Sequence, residues 1–131
     1  MDTHPEEIAG KFVTRLQNGD VLEASQLLHD DVVWDQPGHS QFSGVHAGKP
    51  QVLKLLAGFA AIGVTIEFQE AYWCDDEVLC RVLIKHELGD RAEFQLLSLK
   101  DGMISRVRHH GDTDYLSMIS SFGAEHPQAA S

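Results

Sequence analysis

The sequence predicts an α+β domain, with helices covering one face of a curved antiparallel sheet. Three observations carry this. The first half of the chain holds three segments with apolar residues at helical spacing. The second half holds four runs of about ten residues, each rich in β-branched and aromatic side chains. Short turns join those runs, and connections this short make antiparallel neighbours.

Thr3 is placed to cap a first helix, with Pro5 at an early helical position and Glu6 completing a capping box. Ile8, Phe12, Val13 and Leu16 then share one helical face, and Gly19 ends the helix. Asp20 with Glu23 forms a second capping box and opens a short helix to about Leu28. Val32 to Gln36 reads as a short strand stopped by Pro37-Gly38. Residues 37–48 carry Pro37, Gly38, Gly44 and Gly48 and read as a loop, whose His39 and His46 are candidates to gate a pocket mouth. A third helix runs from about Pro50 to Ala61, with Val52, Leu55, Leu56 and Phe59 on one face and Gly63 ending it. The strands are Val64–Trp73, Val78–Glu87, Arg91–Leu99 and Met103–His110, joined at Cys74–Glu77, Leu88–Asp90 and Lys100–Gly102. A last short helix follows Asp112 and Asp114, and the tail from Ala124 is expected to fray.

A chain of 131 residues is the length of one domain, here residues 1–131, and buries a core without staples. Hydrophobic residues make up 43% and charged residues 23%, which argues against disorder. Twenty acidic against ten basic residues give a formal charge of −10. With no Lys/Arg run, neither nucleic acid nor an anionic membrane is an expected partner. Cys74 and Cys80 make neither a disulfide framework nor a four-ligand zinc site. The acidic N-terminus is unlike a signal peptide and no apolar stretch reaches membrane-spanning length, so a soluble cytoplasmic protein with reduced thiols is expected.

Particular residues carry a family likeness. They are Asn18-Gly19-Asp20, the run Leu27-Leu28-His29-Asp30-Asp31-Val32-Val33-Trp34, Pro37-Gly38, Gly44 and Gly48, and Asp101-Gly102-Met103-Ile104. With the element order, they make residues 4–121 resemble the nuclear transport factor 2-like superfamily. That group includes ketosteroid isomerases, limonene-epoxide hydrolases and SnoaL-like polyketide cyclases. The resemblance implies a cystatin-like, cone-shaped α+β barrel. It does not carry over a mechanism. The ketosteroid isomerase base falls on Gln36, its oxyanion Tyr on Phe12 and its protonated Asp near Gln95. The epoxide-hydrolase Tyr and Asn fall on Trp34 and Gln36, its Arg on Arg81, and its two Asp positions on Leu83 and His109. An amide, an arginine and a histidine survive where carboxylates usually sit.

Strand registers give a second route to the site. A three-residue Leu88-Gly89-Asp90 loop pairs Lys85 with Glu93, Leu83 with Gln95 and Arg81 with Leu97. A three-residue Lys100-Asp101-Gly102 turn pairs Gln95 with Val107 and Glu93 with His109. Arg81, Leu83, Gln95, Val107 and His109 then share the concave face. Cys80, Val82, Ile84, Phe94, Leu96 and Ile104 share the other, an apolar surface that a second subunit would cover, making a homodimer. A two-residue Asp101-Gly102 turn would instead move His109 outward.

In the first arrangement His109 takes or gives a proton near neutral pH. Glu93 holds its other ring nitrogen, Gln36 orients a carbonyl or a water, and Arg81 stabilises an oxyanion. Trp34, Phe12, Phe59, Leu83, Gln95 and Val107 form the substrate surface. Each has a plainer reading: His109 as a hydrogen-bonded strand histidine, Glu93 as an ion-pair partner of Lys85, Arg81 on a buried carbonyl, Trp34 as core, Gln36 as a strand cap. His110-Gly111-Asp112 has the His-x-Asp spacing of non-haem iron sites, but a strand end with an Asp cap accounts for it equally, and no metal or cofactor is expected. No nucleophile arrangement or phosphate loop is readable.

The expected function is therefore a cofactor-independent acid–base enzyme acting on a small hydrophobic oxygenated molecule, polyketide-, terpenoid- or steroid-like. It would be a cyclase, isomerase, dehydratase or epoxide hydrolase. The alternatives are a non-catalytic binder of such a molecule and a protein-interaction module.

Overall fold

The structure, a computed structural model, describes residues 4–111. Its elements are α1 (Pro5–Gln17), α2 (Val21–Ser25), β1 (Leu28–Gln36), β2 (Gly44–Ala47), α3 (Lys49–Ala61), β3 (Thr65–Cys74), β4 (Glu77–His86), β5 (Gly89–Lys100) and β6 (Met103–Gly111). The helix expected after Asp112, the Thr3 cap and the tail lie outside the described residues.

Both longer helices follow from their apolar faces. Helix α1 buries Ile8, Ala9, Phe12 and Val13, with Glu6 and Glu7 in its first turn and Arg15 in its last, as the helix dipole favours. Its N-cap is His4, with no side-chain capping bond. Asp20 does precede α2, but its side chain makes no capping bond, so the capping box expected there is not formed. Gly19 adopts φ +81°, the left-handed geometry that ends α1 and turns the chain into α2. Helix α3 buries Val52, Leu55 and Leu56.

The strands form one open six-stranded sheet in the order β2-β1-β6-β5-β4-β3. It is mixed: β1 and β6 run parallel and every other pair antiparallel. Among the described residues β2 and β3 are the two edges of the sheet, so the expected barrel is not closed. Strand β2 falls inside the stretch read as a loop. It is four residues long and pairs His46 with Trp34. The helices cover the sheet's inner face. There Phe12 and Val13 of α1 and Val52 of α3 join Leu28, Val32 and Trp34 of β1 and Val78, Cys80 and Val82 of β4 in one core, with Leu97, Ile104 and Val107. Among the described residues no helix is long and apolar enough to cross a membrane.

Two turns differ from expectation, with opposite consequences. Strands β4 and β5 are joined by two residues, Glu87 and Leu88, with His86 opposite Gly89. The His86 ring stabilises this turn, its Nδ1 accepting from the Leu88 N–H at 3.1 Å, and Gly89 supplies φ +134°. Gln95 therefore pairs with Cys80 and Glu93 with Val82. The odd shift exchanges the faces of β4. Arg81 and Leu83 lie on the outer face, while Cys80, Val82 and Ile84, expected outside, are buried inside. Arg81 pairs with Glu70 at 3.5 Å and Lys85 with Glu67 at 3.8 Å, not with Glu93.

The β5–β6 turn is also a two-residue one, Asp101-Gly102, both at positive φ, with Lys100 opposite Met103. Alone it would have turned His109 outward. A bulge restores the facing: Leu99 pairs with Ile104 but Ser98 with Arg106, leaving Ser105 as the extra residue. Its hydroxyl donates to the Ser98 carbonyl at 3.0 Å. Beyond the bulge Val107 lies opposite Leu97 and His109 opposite Gln95, on the inner face. Ile104, before it, is inside as well and fully buried, contrary to its expected outer position.

Candidate active site

Among the described residues, one end of the helix–sheet layer is not filled. A cavity of about 220 Å³ opens between the C-terminal ends of α1 and α3, the start of β3 and the middle of the sheet. Its walls are mainly aliphatic and aromatic: Leu16, Val21, Leu56, Phe59, Val64, Ile66 and Ile84, with Trp34. The polar side chains in it are Gln17, Gln36, Thr65, Glu93, Gln95 and His109.

The deepest of these are placed by strand alternation. Trp34 and Gln36 are two apart on β1 and both point inward. The Trp34 indole is 1% exposed. It lies against Phe12 on one side, with ring centroids 6.4 Å apart, and against the His109 imidazole at 5.0 Å. Its Nε1–H donates to Gln36 Oε1 at 3.0 Å. Since that bond takes the carbonyl end of the amide, the NH₂ end is left for a ligand.

His109 Nδ1 is hydrogen-bonded to Glu93 Oε1, and the two side chains are only 6% and 16% exposed. Glu93 is not directly across the ladder, since its cross-strand partner is Gly111; it reaches His109 diagonally. A carboxylate only accepts, so this bond puts a proton on Nδ1 and leaves Nε2 as the working nitrogen. His109 Nε2 and Gln95 Oε1 are both buried without a hydrogen-bond partner among the described residues. Leaving such atoms bare costs about 1–3 kcal/mol each, so the site calls for polar atoms that the described residues do not supply.

Of the residues expected here, His109, Glu93, Gln36, Gln95, Trp34 and Phe59 come together around the cavity. Arg81 and Leu83 do not, because β4 is turned over. Phe12 and Val107 face inward but are fully buried in the core behind the cavity and do not line it. The helices also contribute Leu16 and Gln17 from the end of α1, Val21 from the start of α2 and Leu56 from the middle of α3, which strand registers alone do not place. His46 is tied up at β2, its Nε2 2.7 Å from the Phe42 carbonyl, and is not part of the wall. Among the described residues no group of three or more His, Cys, Asp or Glu side chains is placed to hold a metal.

The thiols divide sharply. Cys74 is exposed, whereas Cys80 is buried on the inner face, where desolvation pushes its thiol up to about 12. At pH 8 only about one in ten thousand Cys80 side chains is then a thiolate. Alkylation of the native protein should label Cys74 alone, and Cys80 should react only after unfolding. The folded state holds this proton more tightly than the unfolded one. This thiol therefore leaves stability unchanged below about pH 9 and lowers it above, by up to about 1.4 kcal/mol per pH unit until about 12. Rapid labelling of both thiols would contradict this placement.

The fold and sequence have relatives. A protein of unknown function with a cystatin-like fold from Xanthomonas campestris is 26% identical, with a TM-score of 0.81 over 89% of this chain and 97% of that one. A protein provisionally named a polyketide cyclase from Sinorhizobium meliloti is 20% identical, with a TM-score of 0.67 over 79% and 94%. Another, provisionally named a ketosteroid isomerase from Kribbella flavida, is 19% identical, with a TM-score of 0.71 over 80% and 75%. At these identities the last two share the fold alone. A comparison with curated protein sequences gives no match. The family profile described as SnoaL-like domain matches residues 9–108, and the chain belongs to that family.

Proposed function

We propose that the protein is an acid–base enzyme acting on a small, mostly apolar, oxygenated molecule held in the inner cavity. The observation that supports this is the Glu93–His109 pair, whose Nε2 has no partner among the described residues, in a cavity walled by Trp34, Phe59 and aliphatic side chains. His109 Nε2 takes a proton from the ligand. Glu93 stabilises the imidazolium that forms. Return of the proton to a different atom gives isomerisation, ring closure or loss of water. Arg81 is too far round the sheet to stabilise an oxyanion, and that role passes to the Gln36 NH₂ group. Relatives bearing the names polyketide cyclase and ketosteroid isomerase support the same broad class.

A carrier that holds its ligand unchanged is the second reading. What favours it is that Glu93 is the sole carboxylate lining the cavity among the described residues. Incubation with a panel of cyclic ketones, enols and hydroxylated aromatics, followed by mass spectrometry and chiral chromatography, separates the two. Conversion of any member supports the enzyme; tight binding with quantitative recovery of unchanged ligand supports the carrier.

We also propose that the outer sheet face meets a second copy of the chain. Phe94 and Tyr72 are exposed there, at 42% and 56%, amid partly buried Leu79, Leu83 and Leu96. Around them Arg81–Glu70, Arg106–Asp35 and Arg108–Glu77 pairs set both signs of charge on one surface, which suits a self-complementary contact. Arg108 Nε is buried there without a partner among the described residues. Sedimentation should report a dimer, and Phe94→Asp a monomer; a wild-type monomer at all concentrations would remove the proposal.

A further inference from the structure

The polar atoms around the cavity differ in kind, and their pattern says what the ligand carries. His109 donates its Nδ1–H to Glu93 in a hydrogen bond, so Nε2 offers a lone pair. Gln36 turns its carbonyl oxygen to the Trp34 indole N–H, which fixes the orientation of the amide and leaves its NH₂ group as a donor. One fully buried indole touches both: the imidazole ring lies 5.0 Å from it and the amide is bonded to it. A proton acceptor and a proton donor therefore stand beside the same flat wall. Gln95 Oε1, directly across the ladder from His109, is a second buried acceptor without a partner among the described residues.

We infer that the ligand carries a hydroxyl conjugated with a nearby carbonyl on a flat ring: an enolised 1,3-diketone, a tropolone or a similar vinylogous acid. The inference rests on the reading of this cavity as an acid–base site and names the substrate class that site takes. The hydroxyl donates to His109 Nε2 and the carbonyl accepts from the Gln36 NH₂. If the proton transfers, the ligand O–H bond breaks and an Nε2–H bond forms. The resulting anion is delocalised over both ligand oxygens, and the imidazolium is held by Glu93. Size agrees with one ring. An apolar cavity of about 150 Å³ takes benzene, so about 220 Å³ takes roughly nine non-hydrogen atoms. The ring plane lies against Trp34.

Tropolone is the probe, because it sets the two oxygen functions on neighbouring ring carbons. Its methyl ether, 2-methoxytropone, lacks the donor, and tropone lacks the hydroxyl without adding bulk. Calorimetric titration of the unmodified protein should show tropolone binding at least about tenfold tighter than either, the worth of one good hydrogen bond to a buried partner. Gln36→Glu keeps the acceptor for Trp34 but removes the donor, and should weaken tropolone about tenfold. His109→Phe keeps ring volume and should bring tropolone level with tropone. Equal binding of the three compounds to the wild-type protein would overturn the hydroxyl–carbonyl assignment. It would leave the cavity as a ligand site, and the acid–base reading to its own turnover test. Binding of none of the three would overturn both the assignment and the cavity as a site for single-ring ligands.

Discussion

Replacing His109 with alanine should lower kcat/KM for the true substrate by about 10²–10⁴-fold, the usual contribution of a positioned general acid or base. His109→Gln should do the same, since an amide fills the space but does not exchange a proton near neutral pH. Glu93→Gln should cost less, because the amide oxygen still accepts from Nδ1 while the charge that stabilises the imidazolium is gone. The informative control is Arg81→Ala. The family likeness places an arginine in the site, but the structure puts it on the outer face beside Glu70, 3.5 Å away. An exposed pair of this kind contributes at most about 1 kcal/mol to stability. Turnover by Arg81→Ala should stay within about twofold of wild type. A His109→Ala protein with wild-type turnover, or an Arg81→Ala protein that has lost its own, would invert the assignment. Steady-state kinetics on whichever panel member is converted measures both.

The contrast between His109 and Arg81 also marks how far the sequence could be read. Element order and the SnoaL-like likeness were legible because long periodic runs are the strongest local signal. Helix α3 and strands β3 to β6 begin and end within two residues of expectation. Strand β2 was not, since four residues starting at a glycine carry no usable alternation. The parallel pairing of β1 with β6 joins segments some seventy residues apart, and nothing local records it.

Facing was the weak point, because a side chain's face depends on whether a turn has an odd or even number of residues. In β4 a better signal was present. Val78, Cys80, Val82 and Ile84 are uniformly apolar, whereas the alternate set Leu79, Arg81, Leu83 and Lys85 contains two cations. Burial of the first set is the cheaper solution, and it is the one adopted. In β6 the expected facing holds for a different reason. The turn has the even length that would have exported His109, and the bulge at Ser105 reverses it. A bulge is set by tertiary fit and is not encoded by one serine. The agreement on His109 thus rests on two departures that cancel.

Trp34→Ala should have the largest effect on stability. The indole is 1% exposed and packs between Phe12 and His109. Truncating a buried aromatic of this size costs about 3–5 kcal/mol, a large part of the roughly 5–15 kcal/mol that holds a domain together. The Gln36 carbonyl also loses its donor. Urea unfolding followed by circular dichroism should show the drop, and Trp34→Phe should show a smaller one, since it keeps one aromatic ring and loses the N–H and the rest of the indole. The size of the first effect decides what the residue is. A wall facing an open cavity relaxes into space already there and contributes less, whereas a core residue leaves a new void. Trp34 has Phe12 behind it and the cavity in front, so both terms apply. A loss near 3 kcal/mol means that the neighbours close into the vacated space, in which case the variant should bind ligands no larger than the wild type does. A loss near 5 kcal/mol means that the void stays open, and the variant should then accept ligands one ring larger. Below about 1 kcal/mol the indole would not be core at all. The ordered placement of Gln36 and His109 against it would then need another cause.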